Sequence, residues 1–353
     1  MRKLRVALIG CGRISDSYRE CFLALHGKID VVSAVDILKE RAEEFAASFP
    51  NCKALSDYRD LFGKKVDVVH IALPHHLHAS VAIDCLKHGI NVLTEKPMAL
   101  TVQDCDAMIQ ASEESHKLLG VIFQTRYYNS VQLFKEKFDA GEFGAPLGVR
   151  SFLTWHRGPH YYEKSDWKGS WDKEGGGVLI DQGIHSLDRV LYLMGSEVDW
   201  VEASMANRIH PYIETEDVLE ATIHFKNGVL YHLYATDSYS YDPAIEIEFH
   251  CEKGGFRLKQ DTGYYHLNGE KEIKVVPIEH VKARKAYWGS THILQLKEFY
   301  QAVREGTPIL VTAEEGRKTL EVVKAIYRSA SKKKRVYLPL MDDKLLTGVK
   351  LHD

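Results

Sequence analysis

The sequence predicts a parallel α/β domain followed by an α+β domain whose sheet is mainly antiparallel, and three observations carry that expectation. Its first third alternates Val/Ile-rich runs with amphipathic stretches. A Gly10-Cys11-Gly12 turn separates the first apolar run from the first amphipathic stretch. After about Gln124 the alternation gives way to β-rich runs in series, and Phe225-Lys226-Asn227-Gly228-Val229 joins two of them through Asn-Gly, a strong hairpin signal. The length agrees, because 353 residues at roughly 150 per domain is a prior for two domains.

Taken in order, Leu4 to Ile9 reads as a buried strand, Ile14 to Leu25 as a helix and Asp30 to Val35 as a strand. A helix over Lys39 to Ser48, a strand over Val66 to Ala72, a helix from about His76 to His88 and a strand over Asn91 to Thr94 follow. Val102 to Ser115 and Leu118 to Phe123 add one more helix and strand. Strands apolar on both faces and separated by helices belong in a parallel sheet covered on both sides. The second part opens with a helix around Ser130 to Asp139, then strands near Leu147 to Trp155, Val198 to Asn207, Val218 to Phe225 and Val229 to Ala235. Short strands run from Ile245 to about Lys274, and helices near Thr291 to Arg304 and Ala313 to Ala330 close the domain. The expected division is 1–124 and 125–353.

Composition narrows the class of function. With 45% hydrophobic and 27% charged residues, the chain has neither the polarity of a disordered segment nor the apolar density of a membrane protein. Forty-six basic against forty-nine acidic side chains, a net charge of −3, offer polyanions no general attraction, so no nucleic-acid partner is expected. Leu4 to Ile9 is too short for a secretory h-region, and no run approaches the ~18 apolar residues of a spanning helix. A cytoplasmic protein without a membrane partner is the expectation. Six cysteines (11, 21, 52, 85, 105 and 251) contain no Cys-x-x-Cys pair, which suits reduced thiols. Lys332 to Arg335 reads as a solvated helix end.

The chemistry-bearing residues fall at strand ends. Gly10-Cys11-Gly12-Arg13-Ile14-Ser15 ends a strand and opens a helix, and such glycines let the backbone turn tightly against a pyrophosphate at the helix N-terminus. Position 15 is Ser instead of a third Gly. Asp36 ends the second strand, where a carboxylate accepts hydrogen bonds from ribose hydroxyls and repels a 2′-phosphate; NAD is therefore favoured over NADP. Pro74-His75-His76-Leu77-His78 follows the third named strand. Three histidines in four residues suggest a metal, but His75 and His76 cannot share a helical face and no Cys or carboxylate joins them at ligand spacing, so a cofactor-lining loop is expected and no metal.

Glu95-Lys96-Pro97 lies after the strand Asn91 to Thr94, where a lysine can polarise a substrate oxygen. Gly175-Gly176-Gly177 leads to Asp181-Gln182-Gly183-Ile184-His185-Ser186-Leu187-Asp188. Spacings of four and three put Asp181, His185 and Asp188 on one helical face, and a histidine so placed can take a proton from a hydroxyl near neutral pH. A histidine merely held by hydrogen bonds in a domain interface is the competing reading.

Together these residues resemble the Gfo/Idh/MocA family of NAD(P)-dependent sugar and polyol oxidoreductases, named from glucose–fructose oxidoreductase and inositol dehydrogenase. The resemblance covers nearly the whole chain. It implies an N-terminal Rossmann domain, a C-terminal domain whose large open sheet often mediates dimers or tetramers, and a site between them. Lys96 then matches the catalytic lysine, His185 the acid/base and Asp181 the aspartate that binds substrate and in some members orients the catalytic groups. Expected cofactor-binding residues are Gly10, Gly12, Arg13, Ile14, Asp36, Leu73, Pro74, His75, His78, Glu95, Lys96 and Gln124. Expected substrate-binding residues are Lys96, Arg126, His156, Trp167, Asp181 and His185.

Tyr161-Tyr162, Trp167-Lys168-Gly169-Ser170-Trp171 and Gln182-Gly183-Ile184-His185 are similar to the branch that includes UDP-N-acetylglucosamine-type 3-dehydrogenases, where Asn often precedes the Gln. Here Asp181 stands in that place, as in inositol dehydrogenase-like members. The aromatic rings either stack on sugar faces or pack the loop. The expected function is hydride transfer between NAD and a secondary alcohol of a sugar, cyclitol or sugar derivative. The alternatives are a UDP-N-acetylhexosamine-type 3-dehydrogenase and a non-catalytic NAD(H)-binding regulator, and a homodimer or homotetramer is expected.

Overall fold

The computed structural model describes residues 2–163, 165–278 and 291–341, with positions 349 and 351. The chain divides into two units, one from the described residues of Met1–Gln124 and Glu279–Arg317, the other from those of Thr125–Ile278 and Lys318–Asp353.

The first unit runs β1 (Leu4–Ile9), α1 (Ser15–Ala24), β2 (Ile29–Val35), α2 (Lys39–Ala46), β3 (Lys53–Leu55), β4 (Val68–Ile71), α3 (His78–Lys87), β5 (Asn91–Thr94), α4 (Val102–Ser115) and β6 (Leu119–Val121). All six strands are parallel, in the order β3-β2-β1-β4-β5-β6. The chain winds outward from β1 in one direction and then restarts at β4 in the other. That reversal leaves a crevice beyond the carboxyl ends of β1 and β4, where open α/β sheets take their ligands. Val6, Leu8, Val68, Val69, Ile71 and Val92 are completely buried, as strands covered on both faces must be. Strand β3 has no counterpart in the sequence reading. It is three residues long with Lys53 exposed, so no apolar run announces it.

The second unit runs α5 (Asn129–Asp139), β7 (Pro146–Thr154), α6 (Pro159–Glu163), α7 (Ile184–Met194), β8 (Val198–Ala206), β9 (Val218–Phe225), β10 (Leu230–Thr236), β11 (Glu246–Cys251), β12 (Gly254–Lys259), β13 (Thr262–Leu267) and β14 (Ile273–Val275). Two later helices, α8 (His292–Glu305) and α9 (Ala313–Lys332), precede the short strand β15 (Val336–Tyr337). The nine-stranded sheet has the order β14-β13-β12-β11-β7-β10-β9-β8-β15. Every pairing is antiparallel except β7 with β10. Asn227-Gly228 turns β9 into β10 as the sequence indicates, with Gly228 at φ +88°. Burial alternates along the strands, with Val149, Leu153, Leu219, Ile223, Tyr231 and Leu233 inside. Leu147, Arg150, Phe152, Glu220, Leu230 and His232 are exposed.

By position in the chain, α8 reads as part of the second domain; its packing assigns it to the first unit. Leu296, Phe299 and Tyr300 join Tyr18 and Phe22 of α1 and Phe45 of α2 in one core. Fully burying side chains of this size contributes roughly 1.5–3 kcal/mol each, which is why tertiary contact overrides chain order.

Candidate functional site

In the first unit, the ligand-binding edge is made of backbone. Gly10 sits at φ +98°, and a Cβ there would lie 2.4 Å from the Ala72 carbonyl oxygen, so the ends of β1 and β4 meet as closely as they do only with glycine. A Cβ on Gly12 would meet nothing within 4 Å, so the turn faces open space. Helix α1 has Ile14 at its N-cap and no side-chain capping bond; its Ser15 and Ser17 amides donate to the Gly12 and Ile14 carbonyls at 3.1 and 3.0 Å, and its positive end lies at the turn. The Ser15 hydroxyl donates to the Gly12 carbonyl at 2.7 Å and braces the turn. Asp36 accepts from the Cys11 amide with Oδ2 and from the Leu38 amide with Oδ1, each at 2.9 Å. These residues fit a dinucleotide, with the pyrophosphate against the amides of α1 and the adenosine ribose hydroxyls at the remaining lone pairs of Asp36. Arg13 is exposed at the turn, and Ile14 is half-buried.

The loops after β4 and β5 are tied together. His78 is fully buried with Nδ1 2.7 Å from the Pro97 carbonyl and Nε2 2.9 Å from the Leu73 carbonyl. Burial pushes its pKa down to about 4, so the ring is neutral and donates to one of the two carbonyls at a time. His78, expected in direct cofactor contact, is therefore placed behind the Leu73-Pro74 loop as a brace. His75 is buried and its ring lies 5.8 Å from that of His78, while His76 is exposed, so the three histidines do not converge. Glu95 is 8% exposed and accepts the Tyr18 hydroxyl at 2.9 Å, linking α1 to the Lys96 loop; burial pushes its pKa up. Lys96 follows at the carboxyl end of β5, half-buried. Gln124 is buried, and its carbonyl accepts the Thr291 hydroxyl at 2.7 Å.

In the second unit, side chains build the site. The glycine triplet is a packing requirement, since a Cβ on Gly177 would lie 1.9 Å from the Glu216 carbonyl oxygen. The Glu216 carboxylate accepts from the Gly177 amide (2.8 Å), the Leu179 amide (3.0 Å) and the Tyr327 hydroxyl (2.7 Å). Burial pushes its pKa up to about 8, against the pull of those donors. It thereby clamps the entry to a π-helical turn, Leu179–Gly183, which carries Asp181 and runs into α7 with His185 in its first turn.

Asp188 follows His185 by three residues in α7 and is fully buried: it takes the Arg126 guanidinium on both oxygens, at 2.9 and 2.7 Å, and the Thr319 hydroxyl at 3.1 Å. Arg126, expected to bind substrate, is 1% exposed and its guanidinium is committed to this pair and to the Tyr192 ring at 4.9 Å. A fork that satisfies a buried carboxylate on two oxygens is held there, because separating the pair leaves a bare charge in the core.

Asp181 itself is half-buried and engaged. Its Oδ2 accepts from the Lys168 ammonium at 2.8 Å and from the Tyr161 hydroxyl at 2.5 Å. Lys168 also reaches Glu174 at 3.1 Å, and its Nζ lies 4.5 Å from the Trp167 ring and 4.8 Å from the Tyr161 ring. Burial opposes the lysine's charge, but Asp181 and Glu174 outweigh it and hold its pKa well above the ordinary value. Glu174, 1% exposed, is pushed up by burial to about 7 despite the same lysine. Lys168, Glu174 and Glu216 are absent from the sequence expectations. The only hints are a lysine beside Trp167 and glutamates flanking the glycine triplet and β9. His156 is exposed, with its amide donating to Asp242 and its Nδ1 2.7 Å from the Tyr239 carbonyl.

A separate buried group joins His210, Asp217 and Asp237. The His210 Nδ1 lies 2.9 Å from Asp217 and its Nε2 2.6 Å from the Arg157 carbonyl, so an imidazolium satisfies both. Burial works against that charge, but the bonds to Asp217 and the carbonyl outweigh it and raise the pKa.

Comparison with known proteins gives this geometry its setting. Residues 4–123 match the family model described as an oxidoreductase family NAD-binding Rossmann fold, and residues 135–338 match the oxidoreductase family C-terminal alpha/beta domain. The chain is 27% identical to D-glucoside 3-dehydrogenase of Escherichia coli K12, over 95% of this chain and 97% of that protein. It is 26% identical to the NAD-dependent scyllo-inositol 2-dehydrogenase of Bacillus subtilis, over 91% and 92%. Among solved structures, the WlbA dehydrogenase of Bordetella pertussis, in complex with NADH and UDP-GlcNAcA, superposes with a TM-score of 0.83 at 27% identity over 96% of this chain and all of that one. With both halves of the chain matched, this protein belongs to the Gfo/Idh/MocA family of NAD-binding oxidoreductases.

Proposed function

We propose that the protein is an NAD-dependent dehydrogenase that moves a hydride between the nicotinamide and a secondary alcohol carbon of a sugar, cyclitol or sugar derivative, with Lys96, His185 and Asp181 as its catalytic residues. The observation that carries this reading is Asp181 and His185 at the head of α7, in a chain similar over most of its length to glucoside and inositol dehydrogenases. Bound NAD supplies the hydride acceptor. In the oxidation direction His185 takes the hydroxyl proton, Lys96 stabilises the negative charge that develops on the oxygen, and Asp181 accepts hydrogen bonds from the substrate's other hydroxyls. Reduction reverses these roles. Arg13, Ile14, Leu73, Pro74, His75, Glu95 and Gln124 line or support the cofactor position; Trp167 and His156 belong to the substrate side. The functional division falls between Gln124 and Thr125, although α8 packs with the first compact unit.

Asp181, where the nucleotide-sugar branch often has Asn, favours an unlinked sugar or cyclitol. A UDP-N-acetylhexosamine derivative is the second reading, favoured by the similarity to the WlbA dehydrogenase. A screen of sugars, inositols and UDP-sugars that follows NADH absorbance separates them. Turnover of an unlinked polyol supports the first, turnover of UDP-sugars alone supports the second, and no turnover of any compound in the screen overturns both.

The same reading includes self-association through the sheet face that exposes Leu147 (57%), Phe152 (42%) and Leu230 (38%), as apolar surface of this kind favours a second copy. Light scattering is expected to give a dimer or tetramer, and a 40.2 kDa monomer at micromolar concentration refutes it. None of the six cysteines is joined in a disulfide, which supports a reducing, cytoplasmic setting, and among the described residues no helix is long and apolar enough to cross a membrane.

A further inference from the structure

The Asp181 carboxylate is gripped from one side. Both the Lys168 ammonium and the Tyr161 hydroxyl meet the same oxygen, Oδ2. Two contacts on one oxygen fix the plane of a carboxylate, and an ammonium among them favours its ionised form. The lysine is in turn fixed. Its side chain is 11% exposed, Glu174 with a 1% exposed side chain takes another of its hydrogens at 3.1 Å, and the Trp167 and Tyr161 rings lie over it. Glu174 is anchored independently by the Gly169 amide. Nothing in this chain of contacts is a long, solvated side chain free to turn away. A charge held so tightly has a greater effect on its neighbour than a surface ion pair, whose worth is about 0–1 kcal/mol.

We propose that Lys168, backed by Glu174, is a positioning residue that holds the Asp181 carboxylate ionised and in one orientation, so that Asp181 presents a hydrogen-bond acceptor to the substrate's hydroxyls. The proposal rests on the assignment of Asp181 to the substrate site. Lys168 acts through Asp181 and exchanges no proton with the reacting carbon.

The test is a double-mutant cycle in the full-length protein, with the polyol that the wild type oxidises in the screen, myo-inositol and methyl β-D-glucopyranoside being the first probes. Asp181→Asn and Lys168→Met are each expected to lower kcat/KM for the polyol by at least 30-fold while the NADH dissociation constant stays within threefold. In the Asp181→Asn background, Lys168→Met is expected to cost less than a further threefold, because its effect passes through the carboxylate already neutralised. A lysine that only stabilises the fold gives additive losses, and that result overturns the proposal. Lys168→Met leaves two carboxylates facing each other in the interior; if it does not fold, Lys168→Met with Glu174→Gln keeps the net charge of the cluster and is expected to show the same loss. Either lysine variant retaining kcat/KM within threefold, while Asp181→Asn loses it, overturns the positioning role and leaves the site intact. Wild-type kcat/KM in Asp181→Asn, or a wild type that turns over no polyol in the screen, brings down the site assignment and this proposal with it.

Discussion

The edge at Gly10 and the cluster at Asp181 are built from different material. The first is a backbone turn, in which Gly10 lets the ends of β1 and β4 meet and Gly12 leaves open space before it, with His78 bracing the Leu73 and Pro97 carbonyls of the adjoining loops. At the second, one carboxylate is set by a lysine, a tyrosine and a further carboxylate brought in from three places in the chain. A backbone site is fixed as soon as the sheet forms; a side-chain site depends on every partner arriving with the right charge. The first therefore depends on few side-chain identities, the second on several.

The sharpest way to probe that difference is through the chemistry. Lys96→Ala and His185→Ala are each expected to lower kcat by roughly 10²-fold or more, with NADH affinity kept within a few-fold, in steady-state kinetics on the polyol from the screen. The double variant is expected to lose less than the product of the two factors, since the proposed mechanism has both groups act on one hydroxyl. Near-wild-type turnover in both single variants removes the catalytic assignment.

Next in size is volume. Gly177→Ala drives a methyl group to 1.9 Å from the Glu216 carbonyl oxygen and is expected to cost about 2 kcal/mol or more in denaturant unfolding. Gly12→Ala, with open space before it, is expected to change stability by no more than about 0.5 kcal/mol and to weaken NADH binding instead. Equal destabilisation by the two breaks the distinction between packing glycines and ligand-facing ones.

A smaller effect concerns cofactor choice. NADH is expected to bind more tightly than NADPH, and Asp36→Ala to narrow the gap by about tenfold, as expected for removing one charge-assisted partner of the ribose. Fluorescence titration checks it, and tighter NADPH binding by the wild type sinks the reading of Asp36.

The smallest expected effect is on stability against pH. Burial pushes Asp237 up to about 7, and His210 is raised as well. Groups with a folded pKa above the unfolded value stabilise fully below the unfolded one, and the contribution fades as pH rises through the folded one. Asp217 is lowered: burial opposes its charge, and its bonds to His210 and two amides outweigh that. Its contribution is present above its unfolded pKa and is lost only in acid. The melting temperature is thus expected to fall by a few degrees between pH 5 and 8, and Asp237→Asn to flatten that slope. A flat wild-type profile contradicts it.

Much of the first unit was legible because its rules are local. The Gly-x-Gly turn, Asp36 at a strand end and the alternation of apolar runs are all short-range signals, and even there β3 escaped because three half-polar residues leave no trace. The second unit wrote less of itself into the chain. Asp181 and His185 stand out by spacing, but the spacing announces neither the π turn that carries Asp181 nor the Arg126 partner of Asp188. Arg126 enters the expected substrate set only through the family resemblance, and only the fold shows its Asp188 partner. Lys168 and Glu174 lie 13 and 7 residues before Asp181 in the sequence, and nothing in that spacing says that a loop returns them to it.

The parallel pairing of β7 with β10 bears on how the second unit assembles. Strands β8, β9 and β10 form one antiparallel meander, and β11 to β14 another, their strands joined by connections of two to eleven residues, far shorter than those that bring in β7. β7 lies between the two, yet its partners Tyr231 and Phe249 stand roughly eighty and a hundred residues beyond Val149. Closing loops of that length is the slow, entropically costly event. The meanders are expected to acquire amide protection first and β7 last, so that a single strand, inserted late, turns two independent ribbons into one sheet.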